Sequence, residues 1–247
     1  MKVVVFVLFG LVCSLCGCMA PSAKRPVKPP EALVAAPEGF DLWEPCDTAR
    51  AEALRSEADG NAAAALRGAA CYAYLVERGG GESAEAAAGK KLAERAVAAY
   101  PHSAEAHYLL GYLAGLVARH SPLKALNLVP VIEREALAAL DLNPELDQAG
   151  PARMLGELYL RAPAFPVSLG DTALAVDYFR RAVEIAPEQP DNRLRLIEAL
   201  LAEDLAAEAC RQLQHFWQGL TPDDAAGESW KRGLELQGRM CGDLFED

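Results

Sequence analysis

The sequence predicts an all-α protein built as a stack of antiparallel helical hairpins, and three observations carry that expectation. The 247 residues are 52% hydrophobic but only 7% aromatic, with alanine heavily used. Such a mix suits close-packed helices and fits poorly with a strand-rich sandwich. Beyond Phe40 the chain runs as amphipathic segments of helical period separated by Pro or Gly. Pro101, Pro144 and Pro187 lie 43 residues apart, twice, each after one apolar segment and before the next. A fixed period means units that bury their apolar faces only against their neighbours.

The chain opens differently. Lys2 precedes an apolar run ending in Leu15, Cys16, Gly17 and Cys18, shorter than the roughly 20 residues a helix needs to cross a bilayer. It reads as a secretory signal over 1–17. Its end resembles the bacterial lipobox, in which a small residue precedes the lipidated cysteine, so Cys18 is the expected lipidation site. Two or more acyl chains hold a protein stably on a membrane. Residues 18–40 contain Pro21, Pro26, Pro29, Pro30 and Pro37, too many for a helix, and form an extended linker. The repeat domain is expected over 41–247.

Helices are expected near 45–58, 61–78, 83–99, 103–120, 130–142, 150–160, 171–186, 190–203, 205–218 and 223–240, which makes five hairpins. Ser103 and Asp171 each precede an apolar periodic run and are expected N-caps, and Gly79, Gly80 and Gly81 break the chain where a hairpin ends. Two stretches, 121–130 and 161–171, lengthen their units and are expected to be apolar loop inserts on the same side of successive hairpins. Tyr108 and Tyr112 share a helical face before the first insert, and Tyr159 ends the helix before the second. Roofed by Leu126 and Phe165, these tyrosines form the expected ligand groove, with packing between hairpins as their alternative role.

The repeat itself resembles the tetratricopeptide family. Leu155, Gly156 and Tyr159 match the first helix of that motif, and Ala175, Phe179, Ala182 and Pro187 match the second. Leu110 and Gly111 repeat the first half, and Ile132, Ala136, Ala139 and Pro144 a degenerate second half. The resemblance implies a tetratricopeptide-like superhelical stack. Combined with the lipobox, the linker and the strings GPARMLGELY and APAFPVSLGD, the chain looks like the T component associated with TRAP transporters. That resemblance implies a periplasm-facing lipoprotein that docks a solute-binding protein, holds an apolar or organic-acid ligand and self-associates. The alternative is a general scaffold for envelope protein assembly that grips another envelope protein. Met19 lacks the acidic side chain associated with inner-membrane retention, which points to the outer membrane.

Four cysteines remain in the folded part, and export places them in an oxidising compartment. An antiparallel turn near residue 60 brings Cys46 level with Cys71, while Cys210 and Cys241 approach across the last hairpin. Four buried thiols are the alternative. No two of these four cysteines have zinc-ligand spacing, and His102 and His107 lie five apart, which misses one helical face, so no metal is expected. His107 falls where the repeat places a packing aromatic. No nucleophile elbow, HExxH pattern or phosphate loop occurs, so the expectation is a non-enzymatic protein without a cofactor. Past Phe40 there are 20 basic against 33 acidic residues, which excludes a basic nucleic-acid surface, and the acids read as solvated helix faces.

Overall fold

In the computed structural model the described residues are 37, 40–79, 83–220 and 227–240. The signal segment 1–17, Cys18, almost all of the linker and Cys241 lie outside them. Ten helices occur among the described residues: α1 (Thr48–Glu57), α2 (Ala62–Gly79), α3 (Ser83–Ala99), α4 (Ala104–His120), α5 (Pro122–Leu142), α6 (Gly150–Arg161), α7 (Thr172–Ile185), α8 (Pro190–Ala202), α9 (Ala206–Gly219) and α10 (Glu228–Met240). None is long and apolar enough to cross a membrane. Packing is between chain neighbours from α1 through α10, and the even-numbered helices α2, α4, α6, α8 and α10 also touch one another in succession. The result is a stack of helical hairpins.

Local chemistry fixes where helices begin and end. The Ser103 side chain accepts from the Ala106 N–H and the Asp171 side chain from the Leu174 N–H, each satisfying an orphan donor of the first turn. Pro101, Pro144 and Pro187 each stand two residues beyond a helix end, after α3, α5 and α7 respectively. This shared placement follows from a ring that cannot continue the hydrogen-bond ladder.

The first insert departs from expectation, because 121–130 is helix and not loop. Pro122 occupies the first turn, where its missing N–H costs nothing, and the Ser121 carbonyl accepts from the N–H groups of Lys124 (2.9 Å) and Ala125 (3.1 Å). Helix α5 then continues through Pro130, an interruption that costs about 3 kcal/mol. Burial of Val129 and Ile132, with Leu128 and Val131 packed beside them, offsets that cost.

Two main apolar clusters fill the stack. The first gathers residues of α1 to α4 with Leu42 and Ala139 of α5, and Phe40 and Trp43 lie against it. The second gathers residues of α5 to α9 with Leu236 of α10. A small third cluster of Ala114, Val129, Ile132 and Leu158 sits between α4, α5 and α6. Met154 of α6 packs against all three. Gly111 makes room for it, since a Cβ there would lie 2.8 Å from the Met154 sulfur. At Gly156 a Cβ would meet the Phe179 ring at 2.7 Å, and that ring is fully buried. The two Leu-Gly pairs are thus points of close helix approach.

A polar clamp joins these layers at the turn before α6. Asp147, Gln148 and Ala149 all have positive φ, at 49°, 54° and 68°, a run of left-handed residues without glycine that costs of order 1–3 kcal/mol per residue. The Asp147 carboxylate accepts from Trp43 Nε1 at 2.8 Å, from the Tyr108 hydroxyl at 2.5 Å and from Arg153 Nη2 at 2.9 Å. Arg153 also donates to the Asp147 and Gln148 carbonyls and to Asn192 Oδ1. Asn192, fully buried in α8, donates to the Gln148 and Ala182 carbonyls, each at 3.1 Å. One turn therefore ties the segment before α1 to α4, α6, α7 and α8.

At the N-terminal end a disulfide joins Cys46 to Cys71, with 5.4 Å between their Cα atoms. Cys210 is half-buried in α9.

Three variants check these claims in one assay. In urea unfolding Gly115→Ala, whose Cβ would meet nothing within 4 Å, should raise stability by up to about 1 kcal/mol. Gly156→Leu should lower it by about 1–3 kcal/mol through overpacking. The double variant Cys46→Ser/Cys71→Ser, which opens a bridge of sequence separation 25, should lose about 3 kcal/mol in the same assay.

Candidate functional site

The five residues expected to line one groove are distributed over different surroundings. Tyr108, 2% exposed, lies in the first cluster. Its ring centroid is 5.8 Å from that of Tyr112, which in turn meets Trp43 edge-on at 5.5 Å. Burial and the nearby Asp147 carboxylate push the Tyr108 pKa well up and keep its hydroxyl protonated. Tyr159 lies in the second cluster, stacked on Tyr178 at 5.5 Å, with its hydroxyl donating to Glu133 at 2.5 Å. Leu126 is 46% exposed on α5 and Phe165 is 87% exposed. The spacing of Tyr108 and Tyr112 does put them on one face, but α4 is packed by α2, α3, α5 and α6, so that face is interior.

The second insert is a loop, and it is braced at its base. The Ala162 N–H donates to the Leu158 carbonyl, the Gly170 N–H to Pro163 and the Asp171 N–H to Tyr159, each at 2.9 Å. Within it the Val167 N–H donates to the Ala164 carbonyl at 3.1 Å. Ala162 and Leu169 pack on the third cluster, as does Leu128 of the first insert, so both inserts border that cluster. The tip turns outward and presents Phe165, joined to Pro166 by a cis peptide bond, with Val167 at 65% exposure.

At the root of this loop the end of α6 meets α8 and α10 through a ladder of charges. Glu157 is shared by Arg161 (3.0 Å) and Arg195 (2.9 Å). Glu198 is shared by Arg195 (3.5 Å) and Arg232, whose Nε donates to it at 2.7 Å. Burial works against the charge on Arg195, but Glu157, Asp191 and Glu198 more than offset it and raise its pKa. A cleft of about 430 Å³ opens here, lined by Leu160, Arg161, Glu198, Ala202, Arg232 and Arg239. The sequence reading took such acids for solvated faces. The i,i+4 pairs Glu157–Arg161 and Asp191–Arg195 were the available signal, but the links between helices have none.

His107 holds a polar position where packing was expected. Its Nδ1 lies 2.5 Å from Glu135 Oε2 and its Nε2 lies 3.0 Å from the Pro101 carbonyl oxygen. Both neighbours only accept, so the site suits the doubly protonated ring. The Glu135 hydrogen bond raises the His107 pKa above its ordinary value, against the effect of burial. For Glu135, 4% exposed at its side chain, burial pushes upward, and the bonds from His107 and Arg134 outweigh it and leave the pKa lowered. Among the described residues no group of three or more His, Cys, Asp or Glu side chains is placed to hold a metal ion.

No protein-family model and no curated protein matches the chain.

The His107–Glu135 pair gives stability a pH signature. A raised His107 pKa contributes stability that is full below the ordinary value of 6.5 and is lost as pH rises through the folded-state value. A lowered Glu135 pKa contributes stability that is full above the ordinary 4.5 and is lost as pH falls through the folded-state value. The urea midpoint of the wild type relative to His107→Gln should therefore be most favourable between these limits and decline on both sides.

Proposed function

We propose that this chain is a lipid-anchored docking subunit that presents the loop between α6 and α7 to a periplasmic solute-binding protein of the TRAP type. In this reading Cys18 carries the lipid, the proline-rich segment spaces the domain from the outer membrane, and the hairpins are tetratricopeptide-like repeats. The supporting observation is the pair Phe165 and Val167, 87% and 65% exposed on a loop whose base is hydrogen-bonded and packed. Apolar side chains held rigidly in water bind a partner at little ordering cost. The Leu-Gly and Ala-Phe-Ala spacings around this loop, and the GPARMLGELY and APAFPVSLGD strings, support the family side of the reading. The role asks nothing of catalytic groups, and the buried carboxylates and tyrosines serve the stack.

Binding of a purified TRAP-type solute-binding protein from the same organism, followed by fluorescence anisotropy, tests the reading. Phe165→Glu should weaken it by about 2 kcal/mol, roughly 30-fold, while leaving the urea midpoint unchanged because the side chain is exposed. Equal binding by the variant, or no binding by the wild type, overturns the docking role.

A further inference from the structure

The cleft between α6, α8 and α10 has a composition that the docking role does not use. Three guanidinium groups, from Arg161, Arg232 and Arg239, face it with a single carboxylate, that of Glu198. With the neighbouring Arg195, Glu157 and Asp191 counted, four guanidinium groups meet three carboxylates, an excess of one positive charge in a chain whose formal net charge is −11. Glu198 is already engaged, because it accepts from Arg232 and lies 3.5 Å from Arg195. Arg161 and Arg195 likewise share Glu157. The ladder thus ends in a guanidinium on α6 and another on α10, each oriented by a carboxylate on its inner side. Arg239 follows Arg232 by seven residues, two helical turns, and so extends along the same face of α10. Guanidinium forks match carboxylates and phosphates bidentately and are weakly hydrated, which favours them in partly enclosed anion sites.

Size and lining narrow the ligand. About 430 Å³ lies within the range of small-molecule sites and far exceeds the space of one water, roughly 30 Å³. Leu160 and Ala202 add apolar wall. An inorganic ion would leave most of this space and all of this wall unused.

We infer that the cleft is a binding site for a small organic dianion with a short apolar body, held by Arg161, Arg232 and Arg239 against Leu160 and Ala202. Leu160 and Arg161 end α6 immediately before the loop that carries Phe165, so in the docked assembly the ligand lies beside the partner. That placement rests on the docking reading, whereas binding to the chain alone does not.

Isothermal titration calorimetry of the full chain with adipate, hexanoate and inorganic phosphate tests the site. Adipate should bind saturably, with hexanoate and phosphate each at least about tenfold weaker. Arg239→Gln and Arg161→Gln should each weaken adipate at least about tenfold with unchanged circular dichroism and urea midpoint, Arg161 being 62% exposed at its side chain. Phe165→Glu should bind adipate as the wild type does, which separates this site from docking. No saturable adipate binding, phosphate binding as tight as adipate, or full affinity in both arginine variants overturns the assignment.

Discussion

The Asp147 carboxylate holds a costly run of left-handed backbone and pins together segments that also meet through apolar packing. Three consecutive left-handed residues without glycine persist only where their surroundings over-determine them. Here Trp43, Tyr108 and Arg153 converge on one carboxylate, while Arg153 and Asn192 take up the carbonyls of the turn. Because the turn sets where α6 starts, it also sets Met154, the side chain common to all three apolar clusters. Two cores that both draw on α5 are thereby held in one register, and removal of a buried charge partner is the kind of change that costs most.

The surface features of α6 follow from that constraint. Its N-terminus is fixed by the clamp and its Gly156 is pressed against Phe179, so its C-terminus emerges at a defined place. The loop that follows has a base bonded to the last turn of α6 and a tip with two apolar side chains in water. The charge ladder begins on the same last turn and runs to α8 and α10. An exposed apolar tip and an arginine-lined cleft therefore share one rigid support, and apolar groups held in place before contact lose little entropy on association.

Much of this fold was legible in the sequence because the signals were local. A proline at a fixed offset after a helix, Ser103 and Asp171 as caps, and an antiparallel turn that levels Cys46 with Cys71 all act within one hairpin. The 121–130 segment was misjudged because Pro130 reads as a helix boundary, whereas cluster burial of Val129 and Ile132 decides the matter. Helical spacing shows that Tyr108 and Tyr112 share a face but not whether a neighbouring helix covers it, which leaves groove lining and packing between hairpins undivided in the sequence. The clamp left no trace, since Trp43 and Asp147 are separated by 104 positions and Asp147 looks like an ordinary turn residue. Phe165 reads in the sequence as an apolar insert residue, but its exposure depends on what the rest of the stack leaves uncovered.

The most direct test of the clamp is site-resolved native-state hydrogen exchange on Asp147→Asn, since asparagine keeps the tolerance for a left-handed backbone and removes the charge. The account predicts that the slowest amides of α2–α4 and of α6–α8, which share one opening free energy in the wild type, separate into two cooperative units in the variant. A single common opening free energy in Asp147→Asn, equal to that of the wild type, would contradict it.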